Sequence, residues 1–221
     1  MHSKPIPTTT GKLKERIEDM AIGDYIKVDY LRSSLDSVIN STSSAECPIN
    51  GTTSGTAPQC FFYLIKVEKG LLTSDRVVGV GATWDELNTG KHVQGRPATL
   101  YGVSGIIRSL TGGVAYADEN GNKSGNTNNF VGCFPSNNEY DKYITRFPVD
   151  KIQVGNTIDD VFHCKDIWSW TQNTPDIAVS ASSTRIARRH VNGNDPRFSP
   201  SSSNTSNTST GFRPVFEYQE T

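Results

Sequence analysis

D-I-W-S-W-T at Asp166–Thr171, S-S-T-R-I-A-R-R-H from Ser182, and G-F-R-P-V-F-E at Gly211–Glu217 are the stretches that decide the fold. Side chains alternate between the two faces of a strand, so Trp168 and Trp170, one residue apart, turn both rings to the same side. The closing stretch brings a glycine, an apolar residue and a cation to a strand start as Gly211, Phe212 and Arg213. Trp168, Trp170, Arg185, Phe212 and Arg213 are therefore assigned to one packed core, with W-S-W-T and G-F-R as adjacent strands. Arg185 and Arg213 are expected to pin loops by bonding backbone carbonyls, since buried polar groups must be satisfied.

In order and spacing the three segments resemble the signature of the formylglycine-generating-enzyme-like branch of the C-type-lectin fold: a W-E-W-T-type strand, an Arg-led strand and a closing G-F-R. Trp168–Thr171 stand for the first, Arg185–Arg189 for the second and Gly211–Arg213 for the third, and the likeness covers roughly the second half of the chain. In the middle segment the family's R-G-G-S-W is replaced by R-I-A-R-R-H. Oxidases of the family act through cysteines between the W-E-W strand and the G-F-R end, whereas this chain has no cysteine after Cys164. The resemblance thus implies a non-catalytic use of the scaffold, a rigid core displaying variable loops. G-I-I-R-S-L-T-G-G-V-A-Y-A-D-E-N-G-N at Gly105–Asn122 and N-N-E-Y-D-K-Y-I at Asn137–Ile144 are also similar to segments of tail-associated proteins of phages of Gram-positive bacteria. The implied protein is a virion component, assembled in the host cytoplasm, that recognises a host surface or decorates the particle. A purely architectural capsid, collar or tail adaptor is the alternative, and a formylglycine-generating-type oxidase a third reading.

A chain of 221 residues forms one domain, or one domain with a short appendage. Its net charge of −1 creates no global field toward nucleic acid or anionic membranes, and neither is expected as a partner. No apolar run approaches the ~18 residues of a membrane span. The start, M-H-S-K-P-I-P, lacks the apolar stretch of a secretory signal, so export by that route is not indicated. Cysteines 47, 60, 133 and 164 form no C-x-x-C pair; four reduced cysteines, some buried, is the reading adopted, with a Cys47–Cys60 disulfide as the alternative in an oxidising setting. Cys133, His163 and Cys164 match no zinc-ligand spacing, and neither metal nor cofactor is expected.

Pro and Thr residues over Lys4–Thr10 read as an arm, and Leu13, Ile17 and Met20 recur at i, i+4 and i+7 as in a short amphipathic helix. Residues 1–22 are therefore set apart from a lectin-like domain at 23–221; the apolar stripe of the helix packs on its own domain or, alternatively, arm and helix dock on other virion subunits of a homo-oligomer. Removal of the segment is expected to leave the domain folded. Ile26–Tyr30, Phe61–Val67, Arg76–Val80 and Val114–Ala117 read as strands, Trp84–Leu87 and Asn137–Ile144 as short helices, and Asp118–Asn122 and Asp159–Asp160 as loops, giving a mixed α+β fold with many loops. Ser33–Gln59 is an exposed excursion, and the Ser, Thr and Asn tract from Ser199 to Thr210 an ordered loop.

The basic group between the Arg-led segment and the closing G-F-R supplies the candidate binding residues. Arg189, His190, Asn192, Asn194, Arg197 and Phe198 are read as a surface loop whose guanidinium forks and one aromatic face meet a cell-wall polymer or surface glycan. No catalytic residue is assigned.

Overall fold

Strand-forming stretches dominate the computed structural model, which describes residues 6–31, 37–53, 59–124, 132–191 and 195–220. The alternating Y-I-K-V-D-Y-L forms β2 (Tyr25–Leu31), flanked by the short β1 (Leu13–Lys14) and β3 (Ser37–Asn40). Next come β4 (Thr52–Thr53), β5 (Cys60–Glu68), β6 (Leu71–Ser74) and β7 (Gly79–Val80). Helix α1 (Trp84–Thr89) opens on a capping box between Thr83 and Glu86. The middle of the chain gives β8 (Arg96–Leu100), β9 (Val103–Arg108), β10 (Ala115–Ala117), β11 (Lys123–Ser124) and β12 (Cys133–Phe134), then α2 (Ile158–Phe162). The C-terminal part is β13 (Trp168–Trp170), β14 (Thr184–Val191), β15 (Asp195–Ser202), β16 (Thr210–Phe212) and β17 (Val215–Tyr218).

The larger sheet runs β1-β2-β5-β6-β17-β9-β8, with β3 also on β2. It curls until β3 lies against β8. Tyr101, in the β8–β9 turn, stitches that seam by donating its backbone N–H to Asn40 Oδ1 at 2.7 Å and its hydroxyl to the Lys27 carbonyl at 2.5 Å. The second sheet runs β15-β14-β13-β16-β7-β4, and β11-β10-β12 form a small third one. The fold is mixed α+β, mostly sheet with few helices. The principal core lies between the two larger sheets and joins Phe62, Leu64, Phe216, Trp84, Trp170 and Phe212.

W-S-W-T and G-F-R are adjacent, as expected from the sequence: β13 pairs in parallel with β16, Trp168 facing Thr210 and Ser169 facing Gly211. Glycine is required at 211, because a Cβ there would lie 1.9 Å from the Gly79 carbonyl oxygen on β7. Arg213 is fully buried and acts as a bolt. It donates to Ser169 Oγ (3.0 Å), the Ser74 carbonyl (2.8 Å) and the Phe162 carbonyl at the end of α2 (2.9 Å), tying both sheets to the helix. Of the tract expected to be a loop, Ser199–Ser202 belong to β15 and Thr210 to β16, and small side chains hold the part between; Ser206 Oγ, for example, donates to the Gly81 carbonyl at 2.7 Å. Asp118–Asn122 is the expected turn, with the Asp118 carboxylate accepting the amides of Asn120 and Asn122.

Several expectations are corrected. The N-terminal segment is not an amphipathic helix: it forms β1 and one 3-10 turn at Ile17–Asp19. Asp24 favours this path, since its carboxylate takes the amides of Lys12 (2.7 Å) and Ala21 (2.9 Å) and so ties both ends of the segment to the start of β2. Ile17 and Met20 sit in the principal core, while Leu13 is 55% exposed. The described arm residues also pair with the domain itself, Thr9 bridging to Ile152 and Thr10 donating to the Lys151 carbonyl. Residues 6–22 are therefore built into the body, and deleting 1–20 would open its core.

Ser33–Gln59 contributes β3 and β4 rather than a bare excursion, and the strand expected at Arg76–Val80 is confined to Gly79–Val80. Asp159 and Asp160 lie in α2 rather than a loop, Asp160 closing a capping box with Thr157. Residues 140–145 form a single wide π-helical stretch whose Tyr140 and Ile144 are buried. Cys47 and Cys60 are joined by a disulfide, contrary to the reduced reading, because the β-bridge at Glu46–Phe61 brings their backbones within 4.9 Å. Cys133 and Cys164 are free and buried.

Candidate functional site

The candidate region is the β14–β15 hairpin, where the two-residue period divides a basic run between two environments. Ile186, Arg188 and His190 point one way, opposite Pro200, Phe198 and Pro196; Arg185, Ala187 and Arg189 point the other, opposite Ser201, Ser199 and Arg197.

The first face is buried. Arg188, without solvent exposure, donates to Asp141, to the Gly112 carbonyl (2.8 Å) and to the Arg197 carbonyl (3.0 Å), and its guanidinium lies 4.7 Å from the Tyr140 ring centre. Asp141 also accepts from Asn138 Nδ2 (2.7 Å), the Cys133 amide (3.2 Å) and Thr145 Oγ1 (3.2 Å). Burial raises the Asp141 carboxyl, but Arg188 and these hydrogen bonds outweigh it and hold the group below its ordinary range. His190 meets Thr145 Oγ1 through Nε2 at 3.1 Å and packs edge-on to Tyr140. A cleft of about 250 Å³ opens over Cys133 and Asp141, lined also by Asp118, Glu119, Thr145 and Arg146. Its chemistry is that of a finished structural network. Burial pushes the Cys133 thiol up to about 12, and the Cys164 thiol likewise, so neither is a thiolate at neutral pH.

Comparisons of the chain with protein-family models, with curated proteins and with solved structures find no match.

The second face turns toward the principal core, where Ala187 packs beside Trp170, and its accessible chemistry lies at the margin. The Arg189 guanidinium lies 4.5 Å from the Trp168 ring centre and that of Arg185 lies 4.4 Å from Trp84. Arg197 is exposed directly across the ladder from Arg189. Of the residues expected to bind a ligand, Arg189 and Arg197 thus share a face, while His190 (0% exposed) and Phe198 (6%) are corrected to core positions. Phe198 packs 4.8 Å from the Tyr116 ring, and strand parity sends it and His190 inward. Asn192 and Asn194 lie outside the described residues. Trp170, Phe212 and Arg213 are buried as expected, Trp168 packs at the margin of the core, and Arg185 is corrected to a partly buried position, where it donates to the Ser182 (2.8 Å) and Thr184 (2.7 Å) carbonyls.

Two charged clusters escaped the sequence reading. One is Arg188–Asp141. The other is Arg76, which is buried and reaches Asp75 (2.6 Å), Glu46 (2.7 Å) and the Cys47 carbonyl (2.6 Å), locking the disulfide loop to the end of β6. Counting parity along R-I-A-R-R-H would have separated Arg188 from Arg189.

His163 caps α2 in a left-handed conformation (φ 42°) and is buried with no hydrogen bond to either ring nitrogen. Burial lowers its pKa below 6.5; Asp75 and Asp159 work against that shift, Arg76 and Arg213 with it. The imidazole is neutral in the fold and gains its proton more readily on unfolding. Its stabilising contribution is therefore complete above pH 6.5 and lost as pH falls from there toward the folded-state pKa, with a slope of at most about 1.4 kcal/mol per pH unit. His163→Asn tolerates the same backbone and does not titrate. Denaturant melts between about pH 7 and pH 5 are expected to show a shallower slope for the variant; equal slopes would assign the titration to another group.

Proposed function

We propose that this chain is a non-catalytic structural protein of a phage virion, associated with the tail or the particle, whose lectin-like domain recognises a host surface or decorates the particle. One observation carries the reading. The three segments that resemble the lectin-like signature are consecutive neighbours in one sheet, in the order β14-β13-β16, with the arginine of G-F-R bolted to the serine of W-S-W. Support for a non-catalytic role comes from the thiols: two are joined as a disulfide, and the other two are buried and pushed up to about 12. The charged groups of the core are likewise spent on internal pairs, as with Arg188–Asp141 and Arg76–Asp75.

A purely architectural role is favoured by a separate feature. Ile6, Ile22, Val149 and Val154 are exposed where the N-terminal segment meets residues 148–154, which makes an apolar surface suited to a neighbouring subunit.

Immunogold labelling of native particles separates the two. Label at the tail tip is the expected result for surface recognition, and a collar or capsid lattice for the adaptor. A protein absent from purified particles would sink both.

A further inference from the structure

We infer that the Arg189–Arg197 end of the β14–β15 hairpin binds an anionic polymer, with Arg189 and Arg197 sharing one oxyanion group and the Trp168 ring backing Arg189. The inference deepens the recognition reading above and rests on it only for where the polymer comes from.

The register carries the argument. Arg189 and Arg197 are direct partners in an antiparallel ladder, so their Cβ atoms are about 5 Å apart and both side chains leave the same face. Among the described residues no carboxylate forms an ion pair with Arg189, and its Nε is buried without a hydrogen-bond partner. The guanidinium is nevertheless held in place, 4.5 Å over an indole that itself packs against the principal core. A planar fork fixed by stacking is suited to bidentate contact with phosphate or carboxylate, and it loses little freedom when the ligand arrives.

The same face extends beyond one anion. Ser199 and Ser201 lie opposite Ala187 and Arg185 and add hydroxyl donors along β15. Arg185, stacked on Trp84, is four residues from Arg189 on the same side of β14, about 13 Å at the usual strand rise. Cations at two stations along a strand suit a chain with repeated negative groups better than a single ion. With a net charge of −1 the molecule adds no long-range attraction for polyanions, so binding has to be local to this face. Trp168 is already covered by Arg189, which leaves it unsuited to stacking on a nucleic-acid base. The ligand class is therefore a polymer of phosphate or carboxylate groups without bases.

The test titrates the full chain with long-chain inorganic polyphosphate, polygalacturonate, neutral dextran and single-stranded DNA, following tryptophan fluorescence and calorimetry. Polyphosphate and polygalacturonate separate a phosphate from a carboxylate source, and binding of either supports the site. Binding is expected to weaken steeply between about 50 and 200 mM salt. Arg189→Gln with Arg197→Gln is expected to weaken it at least about tenfold without shifting the melting transition. Unchanged affinity in that variant overturns the site, as does tighter binding of dextran or DNA than of either polyanion. Should the double variant fail to fold, the wild-type salt series decides: affinity that ignores salt overturns the inference. Loss of polyanion binding in the variant while the protein is absent from particles supports this site and rejects only the virion reading. Particles that carry the protein, paired with a wild-type chain that binds neither polyanion, reject the site alone.

Discussion

Arg188→Met is expected to destabilise the protein by about 3–5 kcal/mol at neutral pH, a large share of the ~5–15 kcal/mol that holds a typical domain together. The cost does not measure the worth of the ion pair. It arises because Asp141, 4% exposed, would be left as a buried anion with only Asn138, Thr145 and the Cys133 amide to satisfy it. The same removal frees the Gly112 and Arg197 carbonyls, so β14 loses its anchor to the 112 loop and one side-chain tie to β15. A pH series separates this account from simple loss of packing. In the wild-type fold Arg188 holds the Asp141 carboxyl below 3.8, so the pair's contribution is complete at neutral pH and is lost only as pH falls below that value. In the variant, burial acts on Asp141 unopposed by Arg188, and the carboxyl takes up a proton at higher pH. The deficit relative to wild type should therefore shrink as pH is lowered toward 4. A deficit that stays constant with pH in denaturant melts would mean that the lost side-chain volume, and not the stranded charge, is responsible.

How far this network could be read in advance depended on which physical rule governed each residue. Strands with one buried face declared themselves: Ile26, Val28 and Tyr30 alternate with Lys27 and Asp29, and β2 follows them. The adjacency of β13 and β16 was legible because two tryptophans of one parity and a glycine that must admit another backbone constrain a sheet strongly. Helix periodicity over Leu13, Ile17 and Met20 misled, since three apolar positions in a short segment say nothing about where the backbone donors go, and Asp24 claims two of them. The binding residues were half legible for a similar reason. Composition identified a basic, polar stretch, but contiguous residues in a strand belong to alternate faces, so Arg189 and Arg197 stayed outside while His190 and Phe198 turned in. Asp141 was invisible, because nothing local in N-N-E-Y-D shows that its partner lies 47 residues away on β14.

Trp170→Ala is expected to cost about 3–5 kcal/mol and Trp168→Ala only about 1–2 kcal/mol, although the two rings belong to one strand and one face. Trp170 is 1% exposed, lies in the principal core beside Phe212 and Ala187, and donates its indole N–H to the Ala82 carbonyl at 3.1 Å. Truncation leaves a cavity between the two sheets and an orphaned carbonyl, and surroundings already fixed by Gly211 against Gly79 cannot collapse into it. For a chain of this size the loss corresponds to a fall in Tm of roughly 10 °C. Trp168 packs at the margin of the same core and is only partly buried beneath Arg189, so its removal forfeits less burial and releases the guanidinium to water. Its larger consequence is functional: Trp168→Ala should lower the melting transition by only a few degrees while weakening polyanion binding, because the Arg189 fork loses the surface that aligns it. Equal destabilisation by the two substitutions would place Trp168 in the core proper and remove the structural basis for an open, ring-backed guanidinium on this face.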